Sequence, residues 1–333
     1  MYHALAKLGR EALCLLSPQT PYVCIGFHQD VTQEVDLAFC RENAIPVFRR
    51  EVGGGAVFLD GNQLFFQLVL HRDNPLAPKR IDAFYKKFLQ PIIDVHQTIG
   101  IPAQYKPVND LVVETRKMSG TGAAEIADCI VFVGNLILDF DYETMSRVLK
   151  IPDEKFRGKV KKTIEDNLST IRRELGGGVV SQWDEAVLNN MMAEEFQKLI
   201  GPMTPGEKDP VLINRMQELE SEMMNDDWLY MKGKRVAGRI VKVRAGLEVI
   251  QRMHKAPGGL IRSEFAVADG RYKDVAISGD FFCFPQDSID RLAAIIEDSP
   301  VADISIAIAD FYQTGKIDVP GVTHDDWMQV FRI

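Results

Sequence analysis

Two arginines, a run of glycines and one lysine are the residues here whose types and spacing could do chemistry. Arg49 and Arg50 end an apolar run from Ile45 to Phe48; Gly53, Gly54 and Gly55 follow, and Ala56 opens the next apolar run. Guanidinium groups hold phosphate or carboxylate oxygens in a planar fork. Consecutive glycines carry no Cβ, so a ligand can press against their N–H groups. Taken alone, a triple glycine also serves as a plain turn. The second cluster runs from Asn109-Asp110-Leu111 to Lys117-Met118-Ser119-Gly120. A lysine followed by small residues is a point charge suited to a phosphate or acyl group. Asn109 and Asp110 can bond a ribose or a base, or hold Mg²⁺ through Asp110. The same pair equally suits a turn before a strand.

These residues need elements to place them. The run after Ala56 turns at Asp60-Gly61-Asn62 and is followed by Leu64 to Leu70, which predicts a β-hairpin. Tyr22 to Gly26, Leu111 to Val113 and Ile130 to Leu138 read as strands. Residues 4–16 have helical spacing, with Ala4, Leu5, Leu8, Ala12 and Leu15 on one face. Asp36 to Asn43, Arg80 to Ile99, Tyr142 to Leu149, Trp183 to Ile200 and Pro210 to Met224 read as helices. A second triple glycine, Gly176 to Gly178, has no arginine pair before it and reads as a linker turn. Lys155, Arg157, Lys159, Lys161 and Lys162 form a basic stretch: a solvated face, or a lure for an acidic partner or for phosphates. From Arg239 the pattern changes to strands (Arg239 to Ile250, Leu260 to Ala268, Val275 to Phe284). Helices at Ser288 to Glu297 and near Val301 to Tyr312 follow, which together predict a small α+β domain.

Composition bounds the rest. The chain has 333 residues, 46% of them hydrophobic, enough for one large or two ordinary packed domains. Its net charge is -8 and no basic run dominates, which argues against a nucleic-acid partner. No apolar stretch approaches the roughly 20 residues that span a bilayer, and the start lacks the charged-then-apolar pattern of a secretory leader. The five cysteines, Cys14, Cys24, Cys40, Cys129 and Cys283, form no Cys-x-x-Cys pair. They read as reduced, buried thiols of a cytoplasmic protein rather than a metal site.

The ordered pattern Arg-Arg-x-x-Gly-Gly-Gly-Ala-Val, then Asn-Asp-Leu, then Lys-x-Ser-Gly resembles the lipoate–protein ligase family, related to biotin ligases and octanoyltransferases. The likeness covers about residues 1–175 well and continues more weakly. It implies an α+β fold: a mixed central sheet with flanking helices over residues 1–240, then an accessory α+β domain over 241–333. It implies ATP-dependent activation of lipoate and transfer to a lysine of a lipoyl-acceptor domain. Lys117 would be catalytic. Arg49, Arg50, Gly53, Gly54, Gly55, Ala56, Asn109, Asp110, Ser119 and Gly120 would bind ATP or lipoyl-AMP, with Mg²⁺ at Asp110. Two departures stand out: one residue fewer between Asp60 and Gly61 than some relatives carry, and Val133-Gly134-Asn135 where relatives place a histidine before the glycine. A transferase without its own activation step, and a non-catalytic lipoate-binding module, are the rival readings. A thiol mechanism lacks a suitably placed cysteine.

Overall fold

The computed structural model describes residues 1–151, 153–180, 182–232, 249–313 and 317–333. The fold is α+β, as the sequence implies. Its strands are β1 (Ala12–Leu16), β2 (Tyr22–Ile25), β3 (Val47–Arg49), β4 (Val57–Leu59), β5 (Gln63–His71), β6 (Gln104–Lys106) and β7 (Asp110–Val113). There follow β8 (Arg116–Ser119), β9 (Thr121–Ile126), β10 (Cys129–Ile137), β11 (Val249–Ala256), β12 (Gly259–Ala268) and β13 (Arg271–Gly279). They form sheets of order β1-β5-β10-β9, β3-β2-β4, β6-β7-β8 and β11-β12-β13. The pairings of the four-stranded sheet are antiparallel, and an isolated parallel bridge joins Lys117 to Leu168.

The chain folds into two compact units. The first comprises Met1–Cys24, Asp36–Val47 and Val57–Glu222; the second comprises Ile25–Val35, Phe48–Ala56 and Met223–Ile333. The boundary expected at 240/241 lies outside the described residues, as do Ile240, Val243 and Leu247 of the expected strand.

In the first unit one face of the four-stranded sheet is packed by helices. Phe66 of β5 and Phe132 of β10 have ring centroids 5.2 Å apart. Phe84, Tyr85 and Phe88, from the helix Ile81–Phe88, crowd Phe132 at 5.8–6.4 Å. Phe196, from the helix Glu185–Ile200, meets Phe66 at 5.8 Å. Each such aromatic pair adds about 0.5–1.5 kcal/mol beyond its buried area. Gly134 lies opposite Phe66, and a Cβ there would stand 2.4 Å from the Phe66 ring. The helix Gln90–Thr98 buries His96, whose Nδ1 lies 2.8 Å from the Ile92 carbonyl. Desolvation lowers the His96 pKa to about 4.

In the second unit β11-β12-β13 packs on the helices Ser288–Ile296, Ile304–Gln313 and His324–Phe331 through Phe265, Tyr272, Phe281, Trp327 and Phe331. The Tyr272 hydroxyl donates to the Phe331 carbonyl at 2.6 Å, and the Trp327 indole N–H to the Tyr312 hydroxyl at 2.8 Å.

Several expectations are corrected. Residues 4–16 do not form one helix: the helix is Tyr2–Lys7, and Gly9 at φ +65° ends it, so that Ala12–Leu16 can pair with β5. The runs flanking Asp60-Gly61-Asn62 are not a hairpin: β4 pairs with β2 while β5 pairs with β1 and β10. The turn therefore carries the chain from one sheet to another. Arg80 to Ile99 is two helices broken at Leu89, where Pro91 near the second start supplies no N–H. At the second triple glycine, Gly176 turns at φ +79° and Gly177–Val180 is a short helix, not a linker. The strand expected to reach Phe284 ends at Gly279, where the φ of +159° and the packing of Phe281 leave no room for a side chain. Cys14 is half-buried, whereas the other four cysteines are buried.

Candidate functional site

The residues singled out by the sequence fall into two groups, one in each unit. In the first unit, β7 and β8 are neighbours in one antiparallel sheet with a bulge at Leu111/Val112. This brings the Lys117 ammonium to 2.6 Å from the Asp110 Oδ1, with both side chains about one third exposed at 38% and 31%. Glu114 turns the chain between the two strands at φ +54°. Ser169 N–H donates to the Lys117 carbonyl at 2.8 Å, fixing the backbone under the lysine. Asn109 and Thr121 are stapled reciprocally: the Asn109 amide donates to the Thr121 carbonyl, and the Thr121 hydroxyl to the Asn109 carbonyl. The Asn109 amide is thus engaged with the protein backbone. Ser119 is buried and donates to the Asn135 carbonyl at 2.5 Å, and Gly120 N–H donates to the Asn135 Oδ1 at 2.9 Å.

In the second unit Arg49 is 0% exposed. Its guanidinium donates to the carbonyls of Gly26 (3.1 Å), Phe27 (2.7 Å), Gln29 (2.7 Å), Trp228 (3.0 Å) and Leu229 (2.6 Å). The Trp228 indole N–H returns a bond to the Arg49 carbonyl at 2.9 Å. Arg49 is therefore buried among backbone carbonyls rather than presented to a phosphate. Arg50 is partly exposed and curls over the glycines, its Nη2 donating to Gly53 O at 2.7 Å and Gly55 O at 2.9 Å. A Cβ on Gly53 would stand 2.7 Å from the Phe281 carbonyl oxygen, and Gly54 sits at φ +89°. Packing against Phe281 and Phe282 accounts for both glycines. Gly55 and Ala56 are half-buried, and Gly55 meets nothing closer than Asp280 at 3.9 Å.

Sequence reasoning missed three residues. Asn135 and Gln63 are buried polar side chains within apolar strands, and that pattern was the available signal. His28 is buried against Phe281, with ring centroids 5.1 Å apart, and its Nδ1 has no hydrogen-bond partner. Desolvation first, then Lys232 and Arg49, lower its pKa to about 3.

His28 and His96 give a pH dependence of fixed sign. Both are neutral in the fold, with pKa values below the ordinary 6.5. The unfolded chain takes up their protons first as pH falls, so their contribution is complete above pH ~6.5 and is lost toward the folded values. Each adds a slope of up to about 1.4 kcal/mol per pH unit in that window. Thermal melts from pH 7 to 4.5 are expected to show falling stability, with a flatter profile in the double variant His28→Gln, His96→Leu. An unchanged slope would refute this assignment.

Asp110 offers one carboxylate, and among the described residues no group of three or more His, Cys, Asp or Glu gathers. That donor set fits a Mg²⁺ whose remaining shell comes from phosphates and water, not an all-protein cage. Burial pushes the thiols of Cys14 and Cys129 up, that of Cys40 to about 11 and that of Cys283 to about 12, against a nucleophilic role. Among the described residues no helix is long and apolar enough to cross a membrane.

Residues 1–197 match the family model described as "Lipoyl protein ligase A/B catalytic domain". This chain belongs to that family. Among its relatives is the lipoate-protein ligase LplJ of Bacillus subtilis, 27% identical over 265 residues, covering 79% of this chain and 74% of that protein. The fold is similar to a crystal structure of P. falciparum LipL1 in complex with lipoate, with a TM-score of 0.65 at 20% identity, covering 93% of this chain and 83% of that one. It is also similar to a bipartite lipoate protein ligase of Thermoplasma acidophilum, studied with its E2 lipoyl domain, with a TM-score of 0.61 at 21% identity, covering 71% and 92%. The chain is an enzyme of the lipoate–protein ligase type.

Proposed function

We propose that this enzyme activates lipoate with ATP and ligates it to a lysine of a lipoyl-acceptor domain. An amide does not form from a carboxylate and an amine at neutral pH without activation. The lipoate carboxylate oxygen attacks the α-phosphorus, and pyrophosphate leaves. The acceptor amine then attacks the acyl carbon of lipoyl-AMP, AMP leaves, and the amine gives up a proton. Catalysis of this kind is mostly positioning and charge stabilisation.

Family membership together with the Lys117–Asp110 pair carries the proposal. Lys117 stabilises charge developing on the acyl and phosphate oxygens. Only about one in 10³ free lysine amines is neutral at pH 7, and a nearby cation with desolvation favours the neutral nucleophile. Asp110 holds Lys117 and would hold Mg²⁺ on the nucleotide phosphates. Asn109 keeps Asp110 in place at the start of β7. Of the two arginines, Arg50 takes the phosphate role, because it is partly exposed whereas Arg49 is fully buried. Gly55 is the position of the glycine loop with room for close approach.

The test is intact-mass analysis of a lipoyl-acceptor domain incubated with the protein, lipoate, ATP and Mg²⁺. A lipoyl-sized gain that requires ATP is expected. A gain only from preformed lipoyl-AMP would make the protein a transferase, and no gain from either would refute catalysis on that acceptor.

A further inference from the structure

Asn135 lies toward the end of β10 and is 5% exposed. Its surroundings are built from the strand register. Thr121, the first residue of β9, opposes Gly134, so the chain leaving β8 must turn through Gly120 beside Asn135. Both ends of the Asn135 amide are used. Oδ1 accepts from Gly120 N–H at 2.9 Å, and Nδ2 donates to the Gln63 Oε1 at 2.8 Å. The backbone carbonyl of Asn135 accepts the Ser119 hydroxyl at 2.5 Å. Gln63 is 1% exposed and spends its own Nε2 on the Phe58 carbonyl at 3.1 Å. A buried chain of hydrogen bonds therefore runs from β4 through β5 and β10 to the Ser119-Gly120 turn.

That turn is the far anchor of the strand that carries Lys117. The near anchor is the bond from Ser169 N–H to the Lys117 carbonyl. Between the two anchors only Met118 intervenes, and it is fully buried. A buried donor or acceptor left without its partner costs about 1–3 kcal/mol, so this chain of bonds has one low-energy arrangement. The strand position is then fixed by Asn135, not by the partly exposed lysine itself.

We propose that Asn135, backed by Gln63, is a positioning residue that sets the place of the Lys117 ammonium for acyl transfer. The proposal rests on the reading of Lys117 given above. Displacing a catalytic group by about 1 Å costs on the order of 10²-fold in rate.

The experiment measures kcat and KM for lipoate, with ATP and an acceptor domain, in Asn135→Leu, Asn135→Asp, Gln63→Leu and Lys117→Ala, with melting curves for each. Asn135→Leu removes the acceptor for Gly120 and the donor to Gln63 while keeping the branching of the side chain at Cγ. It is expected to lower kcat by about 10- to 100-fold with KM within about twofold. Asn135→Asp keeps the acceptor facing Gly120 and should recover at least half of that loss on a logarithmic scale. Gln63→Leu leaves Asn135 in place and provides the measurement if neither Asn135 variant folds; it should lower kcat about 5- to 10-fold. A purely structural role would move only the melting temperature, and any folded Asn135→Leu or Gln63→Leu protein with kcat within twofold of the parent overturns the proposal. If Lys117→Ala itself keeps the parental rate, the reading of Lys117 fails instead, whatever Asn135 does.

Discussion

Lys117→Ala is expected to leave the protein folded and to remove lipoyl transfer, with a loss of at least about 10²–10³ in kcat. The size follows from what a fixed cation contributes where charge develops. The harmlessness to the fold follows from geometry. The Lys117–Asp110 pair is about one third exposed on both sides at 38% and 31%, so solvent screens it. Such pairs contribute about 0–1 kcal/mol to stability. The backbone of the lysine, not its side chain, makes the structural bonds, through the Lys117 carbonyl and the pairing of β8 with β7. Lys117→Arg is expected to be nearly as inactive, because a planar guanidinium fork cannot place a point charge where the ammonium was. A melting temperature within a few degrees of the parent, with the acceptor mass unchanged after incubation with lipoate and ATP, is the predicted pair of results. Transfer at the parental rate in Lys117→Ala would remove the basis of the proposed mechanism.

Arg49→Ala carries the opposite signature. Here the expected loss is of the fold. Deleting the guanidinium, itself fully buried, strips the buried or half-buried carbonyls of Gly26, Phe27, Gln29, Trp228 and Leu229 of a shared donor. Unsatisfied buried carbonyls cost about 1–3 kcal/mol each, and removing one partner of a buried charged network costs about 3–5 kcal/mol. The melting temperature should fall by on the order of 10 °C. Arg49→Lys keeps the charge but offers three donors from one atom, which cannot span these carbonyls, so most of the loss should persist. An unchanged melt together with lost ATP dependence would instead make Arg49 a nucleotide ligand. The two cations that stand out most in the sequence are thus expected to separate, Lys117 through rate and Arg49 through stability.

What the sequence can tell, and what it cannot, follows the range of the interactions involved. Motif composition is legible because residue type and spacing are local facts: Lys117, Asp110 and Arg50 stand out as candidates from the sequence alone. Whether an arginine faces a ligand or five backbone carbonyls is not local, since Trp228 and Leu229 lie far along the chain from Arg49. Asp60-Gly61-Asn62 reads correctly as a turn, but a turn does not say which sheet receives the next strand. That choice depends on β10, some seventy residues later, pairing with β5 in full register. The helix expected over residues 4–16 fails for a local reason in plain view: Gly9 takes a left-handed conformation that ends it. The last helix, His324–Phe331, also carries a local signal. Thr323 and Asp326 form a capping box, and Trp327, Val330 and Phe331 make the apolar face. Asn135 is visible as a letter in Val133-Gly134-Asn135, but its meaning depends on Gly120 and Gln63, which only the sheet brings to it.

The chain passes between its two compact units after Cys24, Val35, Val47, Ala56 and Glu222. This bears on how such a protein can be inherited. A recombination that exchanged only residues 223–333 with a relative's would leave the host's 25–35 and 48–56 inside a foreign packing, with Gly53 against a new side chain at position 282 and Glu34 against a new neighbour at position 262. A viable crossover must carry all three segments at once. Substitutions at Phe282 and Arg262 are therefore expected to be coupled to Gly53 and Glu34, although each pair lies far apart along the chain.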